Sequence, residues 1–239
     1  NPGRAVLHAS GTGSAILESN GGSATLDSSG NLGLGVTPSA WASSIRAVEI
    51  LSSIGSTSIA GGLGSLYLLN NVIYDGAFKY KATGKAARLQ FDENEFKFYT
   101  APSGTAGNTI SFTQTMMLDA SGNLGLGVTP SAWGSSFKVL QVVGGAIWQN
   151  GGSVANTLHL TRNAYYDTSY KYIANGYAHA YDQDATGSHI WYTAPSGTAG
   201  NPITFTQAMT LDASGNLGVG TSSLTAKLTL GDNATPAIN

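Results

Sequence analysis

Five acids lie in clusters with the make-up of paired-carboxylate chemistry: Asp92, Glu93 and Glu95 in one, Asp182 and Asp184 in another. Glycoside hydrolysis uses such pairs, one carboxyl group giving a proton to the leaving oxygen and the other acting as nucleophile or base across a cleft. Only Asp92 and Asp184 recur at matching places in the chain, and both stand in turn-like sequence. The acids therefore read as turn and surface groups, and the chain as non-catalytic. Asp27, Asp119 and Asp212 each open an Asp-x-Ser-Gly-Asn string that looks like part of a calcium loop. The string lacks the further acidic ligands of such a loop. Its Asp and Ser instead suit a turn in which side-chain oxygens accept backbone N–H groups. No metal or other cofactor is expected. Three of the four histidines, His159, His179 and His189, fall late in the chain at spacings that do not set ligands on one element. There is no cysteine, hence no thiolate ligand, disulfide or cysteine nucleophile.

These residues are carried by a chain that repeats itself. Leu26 to Gly35 returns as Leu118 to Gly127 and again as Leu211 to Gly220, first 92 and then 93 residues on. Ser29 to Trp41 equals Ser121 to Trp133, and Tyr99 to Asn108 equals Tyr192 to Asn201. A chain with such a period is an array of similar units. Within each unit the pattern is that of strands. Leu124, Leu126 and Val128 alternate with Gly125 and Gly127, which places apolar side chains on one face and none on the other. A strand bare on one face invites close approach of other backbone. Asp-Ala-Ser-Gly-Asn reads as the turn of a hairpin between Met116-Met117-Leu118 and Leu124-Gly125-Leu126. No stretch shows an apolar stripe of helical period; Pro130 to Ser136 has room for one short helical turn.

The duplication serves as an internal control on the aromatic residues. Seven aromatic positions recur in both copies, and the scaffold is expected to need them for packing: Trp41 with Trp133, Tyr74 with Tyr166, Phe78 with Tyr170, Tyr80 with Tyr172, Phe98 with Trp191, Tyr99 with Tyr192, and Phe112 with Phe205. Four others occur in the second copy alone: Tyr165 against Ile73, Tyr177 against Lys85, Tyr181 against Leu89, and Trp148 against Ser56. His179 likewise replaces Ala87. Rings with a polar edge can stack on sugars. Tyr165, Tyr177, Tyr181, Trp148 and His179 are therefore the candidate glycan-binding residues, with repacking of the core as the competing explanation.

Charged residues make up 10% of the chain, against about 25% in an ordinary soluble domain. Small uncharged polar groups and 32 glycines take their place, which suits life outside a cell. The net charge of −2 with no basic run argues against nucleic acid as a partner. No apolar run reaches the roughly 18 residues of a membrane span, so membrane insertion is not expected. The chain opens Asn1-Pro2-Gly3-Arg4 without an initiating Met, as a fragment or processed product would. Strands this short and glycine-rich bury little by themselves, and apolar strand faces need a partner. Identical chains lying side by side would supply it.

The stretch Leu211 to Leu230, together with Tyr-Thr-Ala-Pro-Ser-Gly-Thr-Ala-Gly-Asn and Gly-Val-Thr-Pro-Ser-Ala-Trp, resembles the repeats of bacteriophage tail fibres and related virion fibres. Such repeats often stand ahead of a self-cleaving chaperone domain; nothing after Leu230 resembles one, and the resemblance implies either its removal during maturation or a chain cut short of it. The resemblance implies an elongated, fibrous all-β homotrimer in which glycine-rich stalk segments alternate with small antiparallel β-modules. The expected organisation is a connecting segment (1–25), stalk repeat 1 (26–50), β-module 1 (51–117), stalk repeat 2 (118–142), β-module 2 (143–210) and stalk repeat 3 with the C-terminal end (211–239). It further implies a place in the virion, outside the cell. The expected partners are other tail or baseplate proteins and a host surface polysaccharide or outer-membrane protein. The alternatives are a tailspike-type glycan depolymerase, a head-attached virion fibre and a cellular surface adhesin.

Overall fold

The computed structural model describes residues 6–9, 14–19, 22–51, 56–62, 64–150 and 157–231, and these are all strands, turns and loops with no helix. The chain divides into two compact units, Asn1–Ala120 and Ser121–Asn239. In the first, β1 (Val6–Ala9), β2 (Ala15–Ser19), β3 (Gly22–Leu26), β4 (Leu32–Leu34), β5 (Ile45–Leu51), β6 (Ser56–Gly62) and β7 (Ser65–Asn70) pair in chain order. After a small hairpin of β8 (Val72–Tyr74) and β9 (Phe78–Tyr80), the sheet continues through β10 (Gly84–Asp92), β11 (Glu95–Gly104) and β12 (Thr113–Leu118). Every pairing is antiparallel except β4 with β5, where the chain crosses over and returns parallel.

The second unit repeats this plan. β13 (Leu124–Leu126) runs parallel to β14 (Phe137–Val142), followed by β15 (Gly145–Asn150), β16 (Leu158–Arg162), the hairpin β17 (Ala164–Tyr166) and β18 (Tyr170–Tyr172), then β19 (Gly176–Gln183), β20 (His189–Gly197) and β21 (Thr206–Leu211). It ends with β22 (Leu217–Val219), antiparallel to β21, and β23 (Leu228–Leu230), parallel to β22. The parallel pairs add to the antiparallel modules expected from sequence. Stalk and module strands also share one ladder, since Ile50 pairs with Thr57 and Leu140 with Ile147.

The glycine-rich strands are built as their alternation foretells. A Cβ on Gly125 would fall 2.1 Å from the Val128 carbonyl oxygen, and one on Gly33 would fall 1.9 Å from that of Val36. The crossover therefore folds straight back onto the bare side of the strand. Asp27 accepts from the N–H groups of Ser29 and Asn31 and from the Asn31 amide, and Asp212 does the same with Ser214 and Asn216. These are the expected capped turns, with Gly30 and Gly215 at positive φ. Leu26 pairs with Leu32 and Leu211 with Leu217, so the string closes a hairpin in both places. Pro130 to Ser136 forms no helix; a turn from the Gly134 carbonyl to the Phe137 N–H leads into β14.

Each sheet has one covered face. In the first unit the hairpin and crossover pack Trp41, Ile45, Tyr67, Leu69, Val72 and Tyr80 into a core, joined by Phe78 and Phe112. In the second unit Trp133, Val139, Ala146 and Trp148 form one cluster, and Ala164, Tyr172, Ala178, Ala194 and Ile203 another. The Tyr80 hydroxyl donates to the Pro102 carbonyl at 2.8 Å and that of Tyr172 to Pro195 at 2.7 Å. Their rings occupy the space a Cβ on Gly104 or Gly197 would need, at 2.2 Å. This contact gives the identical Pro-Ser-Gly strings a structural reason.

Candidate functional site

The face opposite the core is the feature that both units leave open. Ladder register places Leu32, Val48, Ile59, Leu68, Leu89, Phe98 and Met116 in one row across the first sheet. The same row in the second is Leu124, Leu140, Ile147, Leu160, Tyr181, Trp191 and Met209, and β22 and β23 extend it with Val219 and Leu230. Ile59 and Ile147 are nearly half exposed, at 47% and 48%, and Leu160 is 51% exposed. Leu66 and Phe96 flank the first row and are also exposed. Isolated apolar residues on a surface are ordinary, but contiguous patches beyond a few hundred Å² mark contact sites.

The five sequence-predicted glycan residues separate in space. Tyr181 and His179 meet in a groove of about 460 Å³ on the open face, together with Leu160, Arg162 and Trp191. Tyr181 lies 5.1 Å from Trp191, centroid to centroid, and its hydroxyl hydrogen-bonds the Nδ1 of His189. Tyr177 is 62% exposed but lines a different cleft with Asn163, Asn175 and Gly176. Tyr165 packs edge-on against Trp133 on the covered face.

Trp148 requires a correction. It lies on the covered face and not in the open groove, is 3% exposed, and has one ring face stacked on His159 at 3.9 Å. Nor is Ser56 its counterpart: Trp148 pairs with Val139 as Ala60 pairs with Ala47. The β14–β15 link is residues 143–144 where β5–β6 has 52–55, and this shift moves the strand relative to a gapless alignment. Cross-strand from Ala60 stands Tyr67, and cross-strand from Trp148 stands His159. One unit joins small to large and the other large to medium, which is a repacking of the same space.

Trp191 and Phe98, expected among the packing aromatics, both lie in the open row. Alternation along β11 and β20 was the signal, because Tyr99 and Tyr192 next to them point the other way. On the covered face, Arg88 is enclosed by Tyr99, Phe78 and Phe112 at 4.0, 4.5 and 4.6 Å from their ring centres. Burial lowers its pKa, offset in part by Tyr99.

The acids are engaged in structural contacts. Asp92 accepts from Ser65 and Gln90, and Glu95 pairs with Lys97. Asp182 holds His159 at 2.7 Å. Asp184 caps a turn through Thr186 and Ser188; the slight burial that raises its pKa is outweighed by these hydrogen bonds, and its carboxyl sits below the usual range.

Comparison with protein-family models finds no match, and neither does comparison with the curated proteins. The functional reading therefore rests on the open face and on what the chain's residues can contact.

Proposed function

We propose that this chain is a shaft segment of a bacteriophage tail fibre, assembled as a homotrimer on the outside of the virion and contributing to host attachment without catalysis. The observation that carries the reading is the apolar row that recurs on the open face of both units. A sheet covered on one side only needs a second layer on the other, and copies of the same chain present the same row at the same register. Repeated strings of the virion-fibre kind and the low charge support the same reading. In such an assembly each surface feature appears three times, so weak contacts to a host polysaccharide or outer-membrane protein add through effective concentration. The ends of the segment would meet other tail or baseplate proteins.

On this reading Tyr181 and Trp191 belong to the seam between copies, as Leu89 and Phe98 do in the first unit. Sedimentation equilibrium of the purified chain tests it. A mass three times that of the chain supports the proposal, and a monomer overturns it.

A further inference from the structure

With the open face given to neighbouring copies, contact with anything outside the assembly falls to the opposite face. There the second unit has a shallow, open-mouthed cavity of about 280 Å³ lined by Phe137, Trp148, Tyr166 and Tyr170, with Asn150, Thr157 and His159 at its polar side. We infer that this cavity binds a single neutral sugar residue. The inference rests on the attachment part of the proposed function and supplies its ligand class.

Three observations point to that chemistry. The volume lies just below the range of about 300 to 1,000 Å³ usual for ligand pockets, which matches a single sugar ring. The walls are aromatic and suit the C–H faces of a pyranose, while the polar groups mix donors and acceptors as hydroxyl recognition requires. His159 is held through Nδ1 by Asp182, which leaves Nε2 as the nitrogen for a ligand. Among the described residues, Nε2 and the hydroxyls of Tyr166 and Tyr170 make no hydrogen bond. Burial and then the charge of Asp182 raise the pKa of Tyr170 and keep it a donor. Among the described residues no Lys or Arg lines the cavity, which favours a neutral ligand over a phosphate or carboxylate.

The first unit is the built-in comparison. It carries Tyr67 in place of His159 and Gln90 in place of Asp182, by the same ladder pairing. Gly62 stands where Asn150 does, and a Cβ there would lie 2.1 Å from the Ser44 carbonyl. The scaffold is thus satisfied by residues that cannot form this site.

The test is titration of the whole chain with methyl glycosides of glucose, galactose, mannose and N-acetylglucosamine, followed by tryptophan fluorescence and by saturation transfer from protein to sugar. One glycoside is expected to saturate both signals. His159→Tyr and Asp182→Gln, which install the first unit's residues, should weaken it about tenfold or more, the worth of one hydrogen bond. Tyr170→Phe removes a single hydroxyl and serves if either variant fails to fold; Tyr181→Leu should leave the affinity unchanged. No saturable signal with any of the four, or one that survives these cavity substitutions, overturns the inference. Sedimentation of the same samples reports assembly separately, so loss of the trimer and loss of sugar binding are told apart.

Discussion

Lys81 places its ammonium group on the carboxylate of Glu49, a side chain with no exposed surface. Glu49 also accepts from the indole of Trp41 and from Ser39. Ninety-two residues on, the uncharged Gln141 accepts from the Trp133 indole and the Ser131 N–H and donates to the Ser131 hydroxyl, and Ile173 stands where Lys81 does. A buried ion pair broken on one side strands the other charge, whereas replacing both partners is often neutral. Lys81→Ile alone should therefore cost about 3 kcal/mol. Adding Glu49→Gln should return the protein to within about 1 kcal/mol of the parent. Urea unfolding of the four members of this cycle measures the coupling.

Gly125 has the Val128 carbonyl where a side chain would begin, while a Cβ on Gly144 would meet nothing within 4 Å. Gly125→Ala should destabilise by about 1–3 kcal/mol through overpacking against backbone. Gly144→Ala should change stability by less than about 0.5 kcal/mol, as an unobstructed surface position does. Thermal unfolding of the two variants separates close approach from simple loss of glycine flexibility.

Tyr181 and Leu89 hold the same place in the two open rows. If the row is a seam, Tyr181→Leu should keep the trimer and Tyr181→Asp should break it, with circular dichroism unchanged in the dissociated chain. Sedimentation velocity distinguishes these outcomes.

Asp212 is capped by N–H groups of Asn216 and Ser214, and the Asn216 backbone bond is the largest influence holding its carboxyl below the ordinary value of 3.8. A folded pKa below the unfolded one contributes stability that is present above pH 3.8 and is lost as pH falls through the lower folded value. Amide exchange at Ser214 and Asn216 should accelerate relative to neighbouring strands over that acidic range. Asp212→Ala should abolish the pH dependence.

The strands, the capped turns and the covering aromatics were legible because each follows from local alternation or from a side chain bonding its own backbone. The crowding at Gly125 was legible for the same reason: an empty strand face has few uses. Partition of the five candidate residues was not. Tyr181 and Tyr165 look alike in sequence, and only the ladder sends one to the open row and the other to the core. Trp148 was misplaced because two links of different length slide one strand against its counterpart, which a fixed offset cannot register. The pairing of His159 with Asp182 joins residues 23 apart, a contact made by strand register and not by spacing.

That sliding strand has an evolutionary consequence. The short join before β15 is offset by a long one after it, residues 151–157 against 63–64, so the rungs beyond fall back into step. Insertions and deletions can thus be traded between opposite ends of the same strand at little expense to the ladder. Length variation can accumulate in the joins, while the apolar rows of the two open faces keep a common register.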